Sequence, residues 1–325
     1  MKRTLWIILR LVIAAAGIGY ILYSITWQDQ VIEGELRQGV WTIVKQADPR
    51  LLIMGLLLVG IIPPVQAMRW WLLMRCRGIA VTYLRALRLT MVGLFFNFCM
   101  PGMTGGDVVK AYYATRSTDK RGAAIMSVVF DRLTGLVALI VLAAAAGLTI
   151  LDHALAGRVT LATWTILIFI AVAAMFYFAP AVRRATGLGH LLTKWQLIKR
   201  LDAAAVAYHH HKRTLLMAFA LSIIVHICQI TATALAGYAM GMSLPMSLLL
   251  TVLPVVLFAG ALPMTYQGLG VMEALAVAML VTEGAAATNQ VIAMLVFFRL
   301  YLLAYSLLGS FILLRGDIRL HPAEK

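Results

Sequence analysis

The chain alternates long apolar runs with short polar ones. Residues 5–25, 51–68, 123–150, 159–179, 214–240 and about 290–314 are each apolar over roughly the 20 residues that a helix needs to cross a bilayer core. Two further apolar stretches are interrupted. Residues 82–100 run into PGMTGGD, and residues 246–262 run into PMTYQGLGVME. Proline and paired glycines turn the backbone there, and a carboxylate follows each turn: Asp107 in the first and Glu273 in the second. Broken backbone beside ionisable groups is costly in lipid unless protein buries it or a wet cavity solvates it. The pattern predicts an all-α polytopic membrane protein with about six full spans and two re-entrant hairpins, about eight hydrophobic helices in all.

The basic residues orient this scheme. Arg69, Arg75, Arg77, Arg85 and Arg88 follow the second run with no acidic residue among them, whereas residues 26–50 have no positive excess. The positive-inside bias places the Arg69–Arg88 loop and the N-terminus in the cytoplasm. Lys110, Arg116, Lys120 and Arg121 stay on that side only if residues 82–116 enter and return. Residues 180–213 carry Arg183, Arg184, Lys194, Lys199, Arg200, Lys212 and Arg213 beside apolar residues at helical spacing. They are expected as an amphipathic helix on the inner leaflet, basic face toward anionic headgroups. A basic tail then places the C-terminus inside as well.

Composition narrows the class. With 62% hydrophobic and 13% charged residues among 325, the chain is too apolar for a soluble globule. The net charge of +15 reads as cytoplasmic loop charge, since no basic face interleaves with stacking aromatics as a nucleic-acid groove requires. Cys76, Cys99 and Cys228 are scattered through apolar sequence and read as buried thiols. The run His209-His210-His211 cannot converge on one helix face and reads as solvated. No GxSxG, HExxH or phosphate-loop lysine motif is present, so no cofactor or metal is expected.

The scheme repeats. Residues 1–150 and residues 151–325 each read as span, span, hairpin, span, with opposite orientation, within one integral-membrane domain. Arg132 follows Asp107 by 25 residues and Arg299 follows Glu273 by 26. Inverted repeats whose broken helices meet near the bilayer midplane are a transporter architecture.

The intramembrane ionisable set is Asp107, Asp131, Arg132, Glu273 and Arg299. Asp131 and Arg132 are about 100° apart on a helix and each needs a partner from elsewhere. Glu273 is expected to pair with Arg299. Arg132 is expected near the first hairpin, with Asp107 or Asp131 meeting that hairpin's donors. Structural ion pairs and a substrate path both remain open for Asp131 and Arg299. Lys110 shares the face of Asp107. Free amides at Gly105 and Gly106, with Lys110 and Arg116, suit an anion, and Gly268 and Gly270 do the same at the second tip. Asn97 is expected to cap or cross-link the hairpin. His226 and Gln229 are expected to make interhelical hydrogen bonds.

The ordered set NFCMPGMTGGDVVKAYYATR (97–116), VVFDRLTGL (128–136), LPMTYQGLGVMEA (262–274) and FFRLYLLAY (297–305) resembles the flippase-like membrane family. Its best-known relative is the integral-membrane half of bacterial lysylphosphatidylglycerol synthase. The resemblance covers nearly the whole chain. Asn97, Pro101, Gly105, Gly106, Asp107, Arg132, Gly268, Gly270, Glu273 and Arg299 fall on the family's motif positions. The chain departs at Gln267, where the family commonly has Gly, and at Met272, where it commonly has Arg. The soluble aminoacyl-transfer domain of the bifunctional relatives is not in this sequence. The resemblance therefore implies lipid movement across the bacterial inner membrane rather than lysyl-lipid synthesis, with membrane lipids as partners. Two alternatives stay open: a membrane enzyme or accessory factor acting on phospholipid or polyprenyl-phosphate carriers, and a scaffold for a lipid-modifying enzyme.

Overall fold

In the computed structural model, residues 19, 25–32, 35–99, 105–149, 154–178, 196–262, 266–281 and 286–315 are described. The expected first span at residues 5–25 lies almost wholly outside them, as do Pro101 and residues 263–265 of the two tips.

A short antiparallel ribbon, β1 (Gln30–Ile32) and β2 (Glu35–Arg37), opens the described chain. Among the described residues it is the one departure from an all-helical fold, and it stands in a stretch expected as plain loop. Helix α1 (Val40–Gln46) follows. Asn289 ties this region down. Its amide donates to the Thr26 hydroxyl at 2.7 Å and to the Gln38 carbonyl at 2.8 Å, and it accepts from the Thr26 N–H at 3.2 Å.

Helix α2 (Pro49–Arg75) is capped by the Asp48 carboxylate, which accepts from the Arg50 N–H at 2.8 Å, and Pro49 sits in its first turn. The sequence reading ended this span at 68 and put Arg69 and Arg75 in a loop. The helix instead runs 27 residues, about 40 Å at 1.5 Å per residue, and Arg69 is buried within it. It passes Pro63 and Pro64 without ending. Two tyrosine hydroxyls bond carbonyls along this helix: Tyr83 donates to Pro64 at 3.2 Å and Tyr305 to Leu56 at 3.0 Å.

The first broken unit is α3 (Tyr83–Cys99) and α4 (Gly105–Arg116), packed against each other where Gly106 meets the Gly93 carbonyl. The helices are 17 and 12 residues long, about 25 and 18 Å, and each is shorter than a bilayer core of roughly 30 Å. Helices α5 (Arg121–Gly147) and α6 (Ala154–Phe178) follow. Most of α6 faces outward, with Leu161, Phe169 and Met175 at 71%, 73% and 64% exposure. A helix so apolar on its outer side belongs in lipid.

The basic segment 180–213 is described from Gln196 onward. Its helix α7 (Gln196–His209) turns Ala204 and Tyr208 toward protein, where they pack with Leu73, Met126 and Ala218. The Tyr208 hydroxyl donates to the Leu73 carbonyl at 3.0 Å. Lys212 and Arg213 already belong to α8 (Lys212–Ala239).

The second broken unit is α9 (Met246–Ala261), a 3-10 turn at Tyr266–Gly268, and α10 (Val271–Ala276), which continues as a π-helical turn over Val277–Val281. Helix α11 (Thr288–Leu314) closes the bundle. Among the described residues, five helices (α2, α5, α6, α8 and α11) are long and apolar enough to cross a membrane. The main core lies where α8 packs along α2, α9 along α5 and α11 along α3. Gly309 lets α11 close onto the Met91 backbone of α3. This packing brings both helix breaks to one interior space.

Candidate functional site between the two helix breaks

A cavity of about 180 Å³ lies inside the bundle, walled by α2, α3, α4, α5, α8, α9, α11 and the second break. Its lining mixes Leu94, Leu136, Leu257 and Phe298 with charged and amide side chains from several helices. Concave sites of this mixed character are where small molecules bind.

Three ion pairs frame it. Arg69 on α2 donates to Asp131 on α5 at 2.6 Å and to the Ser222 hydroxyl on α8 at 2.8 Å, all three residues being buried. Arg132 on α5 pairs with Asp107 on α4 at 3.3 Å. Arg299 on α11 pairs with Glu273 on α10. The other Glu273 oxygen accepts from the Gly270 N–H at 2.9 Å, so that carboxylate also fixes the start of α10. Asp131 and Arg132, adjacent in sequence, take separate partners, as their angular separation requires.

Arg132 joins the two breaks. Its second amine donates to the Ala261 carbonyl at 2.7 Å, one of the carbonyls that the end of α9 leaves without a helical partner. A second link runs from the Gln267 side-chain amide to the Asn97 carbonyl at 3.1 Å. The Asn97 side chain accepts from the Gly106 N–H at 2.7 Å across the first break.

Several expected site residues prove to have structural work. The Gly106 amide is not free for an anion, since Asn97 occupies it and a side chain at Gly106 would meet the Gly93 carbonyl. Gly105 is buried and is absent from the cavity wall. Gly268 and Gly270 hold positive φ, 69° and 82°, and do not line the cavity, so they shape the turn. Gln267 does line it. Arg116 lies exposed near the far end of α4, its guanidinium 4.7 Å from the Tyr112 ring centroid, and is not brought to the site. Lys110 does reach the cavity and is buried. His226 makes the expected interhelical contact, its Nε2 lying 3.0 Å from the Gly135 carbonyl, and both His226 and Gln229 line the cavity.

Sequence reasoning missed Gln66, Arg69 and Thr90 as lining residues. A signal existed for Arg69. The residues after it, Trp70-Trp71-Leu72-Leu73-Met74, are apolar, so Arg69 interrupts a span rather than ending one. Thr90 and Gln66 had no such signal.

Among the described residues, no group of three or more His, Cys, Asp or Glu side chains is placed to hold a metal ion. The fold and this cavity define a multi-pass helical membrane protein with a charged interior. Residues 7–309 match the family described as the lysylphosphatidylglycerol synthase transmembrane region, and the chain belongs to that lipid-related, flippase-like family. A comparison with curated proteins gave no match.

Proposed function

We propose that the protein moves a lipid or lipid-linked substrate between the leaflets of the bacterial inner membrane. The observation that carries this reading is the charged cavity enclosed by an apolar bundle and walled by both helix breaks. Headgroup polar atoms cross in such a cavity while acyl chains remain in lipid. The four helices of the broken units are too short to cross alone, which favours re-entrant hairpins. In this reading residues 1–150 and 151–325 form an inverted repeat, and both termini lie in the cytoplasm.

The two pairs at the breaks differ in access. The Arg132 and Asp107 side chains are 30% and 23% exposed, whereas those of Arg299 and Glu273 are 14% and 0% exposed. This asymmetry between the two pairs supports a reading in which the halves of the site open in turn. Rocking of the halves would exchange the two, with differential lipid binding biasing the states. Asp107, Asp131 and Glu273 are the candidate proton-coupling groups.

Leaflet transfer of fluorescent lipids in proteoliposomes tests the proposal. Wild type is expected to transfer lipid, and Asp107→Asn and Glu273→Gln to lose transfer at matched folded yield. Absence of transfer for zwitterionic, anionic, cationic and polyprenyl-phosphate lipids, with and without an ion gradient, would overturn it. Product formation from any of these lipids would favour an enzyme instead.

A further inference from the structure

The charges around the cavity do not balance. Asp107, Asp131 and Glu273 are each matched to one arginine. Lys110 remains. It is 7% exposed, and among the described residues no carboxylate lies within 4 Å of its ammonium. Its nearest aromatic partner is Trp70, 5.4 Å from ammonium to ring centroid, in a ring fixed by an indole hydrogen bond to Ser127 at 3.1 Å.

A second observation points to the same wall. Thr90 is fully buried and lines the cavity, yet its hydroxyl has no hydrogen-bond partner. Helical threonines elsewhere in the protein bond back one turn: Thr134, Thr163, Thr233 and Thr251 each donate to the carbonyl four residues earlier, at 2.8 to 3.0 Å. Thr90 does not. A buried hydroxyl left unmatched calls for an occupant. Gly93, one turn further along α3, makes room for Lys110: a Cβ there would stand 3.2 Å from the lysine Cε and 3.4 Å from Cγ. The stem of Lys110 therefore crosses α3 at Gly93, three residues from Thr90. Gln66 on α2 lines the same cavity.

We infer that Lys110, Thr90 and Gln66 form a subsite for the phosphate oxyanion of a lipid headgroup. The inference rests on the transport reading and names the chemistry that the cavity takes. Arg69, Lys110, Arg132 and Arg299 outnumber Asp107, Asp131 and Glu273 by one positive charge, which one anion would balance, and α4, α3 and α2 each present a donor side chain to the cavity. The arginines offer less, because each already serves a carboxylate. Gly93 is a positioning residue here.

Binding to the full-length protein in detergent, followed by calorimetry, tests this with three probes: dihexanoyl phosphatidylglycerol, dihexanoylglycerol and inorganic phosphate. The phosphatidylglycerol is expected to bind saturably, dihexanoylglycerol about tenfold or more weakly, and inorganic phosphate weakly but in competition. Lys110→Gln should weaken phosphatidylglycerol binding about tenfold or more, and Thr90→Val about threefold to tenfold. Thr90→Val is the decisive variant because it removes a hydroxyl with no protein partner, and its melting temperature should be unchanged or higher. Equal binding of the phosphate-free lipid would overturn the subsite. So would wild-type affinity in folded Thr90→Val. Inorganic phosphate binding as tightly as the lipid would reassign the site to a soluble anion. Phosphate-dependent binding without leaflet transfer would leave this subsite standing and overturn the transport reading. Transfer indifferent to the phosphate would do the reverse.

Discussion

Gln267, on the turn of the second helix break, donates its side-chain amide to the backbone carbonyl of Asn97, in the last turn of the helix entering the first break, at 3.1 Å. The two residues are 170 positions apart, and this bond with the Arg132–Ala261 contact is what latches the breaks together. Gln267 reaches Asn97 from a left-handed backbone, φ 51° and ψ 28°, and is the single non-glycine residue with positive φ among the described residues. At this position the chain accepts backbone strain and gains a cross-link.

Two substitutions at Gln267 should therefore differ in a definite order. Gln267→Gly loses one hydrogen bond, about 0.5–1.5 kcal/mol, but relieves a left-handed conformation worth roughly 1–2 kcal/mol. Gln267→Ala loses the bond and keeps the strain. Thermal unfolding in detergent should place glycine close to wild type and alanine below both. Alanine as stable as glycine would show that the strain is not felt.

The ion pairs should rank by burial. Arg299→Gln leaves the fully buried Glu273 carboxylate with the Gly270 N–H alone, a loss of about 3–5 kcal/mol for a broken buried pair. Arg132→Gln exposes Asp107 to a partly solvated site, where screening reduces the cost to about 1 kcal/mol. The double variant Glu273→Gln with Arg299→Gln should recover stability over Arg299→Gln alone, since no uncompensated charge remains. Melting temperatures of the purified variants check the order, and equal losses for Arg132→Gln and Arg299→Gln would contradict it.

What the sequence disclosed follows from which signals are local. Spans announce themselves by apolar length, and both helix breaks by proline and glycine beside a carboxylate. The matched spacing from Asp107 to Arg132 and from Glu273 to Arg299 foreshadowed both pairs at the breaks. Contacts set by packing were illegible. Nothing in the order of residues says that Arg132 reaches Ala261, that Gly106 spends its amide on Asn97, or that Thr90 is left without a partner. Arg69 was misplaced because a charge after an apolar run looks like a terminus, and its partners Asp131 and Ser222 come from distant helices.

Asn289 should act as a clasp. It is 6% exposed at the start of α11 and holds Thr26 and Gln38 on either side of the ribbon. Asn289→Ala removes all four side-chain bonds, to the Thr26 N–H, carbonyl and hydroxyl and to the Gln38 carbonyl, but Thr26 and Gln38 lie near solvent and water can replace their partner. The expected effect is local release rather than global unfolding. Hydrogen exchange at Gly39 and Val40, whose amides bond Asp29 at 2.7 Å and the Thr26 carbonyl at 2.9 Å, should accelerate while α5 amides hold. Acceleration spread evenly over the bundle would show that the clasp is part of the global core.

The first break depends on a close backbone approach that glycine alone permits. A Cβ on Gly106 would fall 2.6 Å from the Gly93 carbonyl carbon and 2.8 Å from the Asn97 side-chain oxygen. Gly106→Ala must then push α4 away from α3, straining the Asn97 bond and opening the cavity wall, at a cost of about 1–3 kcal/mol or more. Gly122, near the start of α5, has nothing within 4 Å of the same position. Gly122→Ala exchanges a poor helix former for a good one in open space and should stabilise the protein by about 0.4–1 kcal/mol. Opposite shifts in melting temperature for one chemical change, downward at Gly106 and upward at Gly122, would tie the effect to the approach of α4 to α3. Downward shifts at both would instead mean that added side chains are resisted wherever these helices begin.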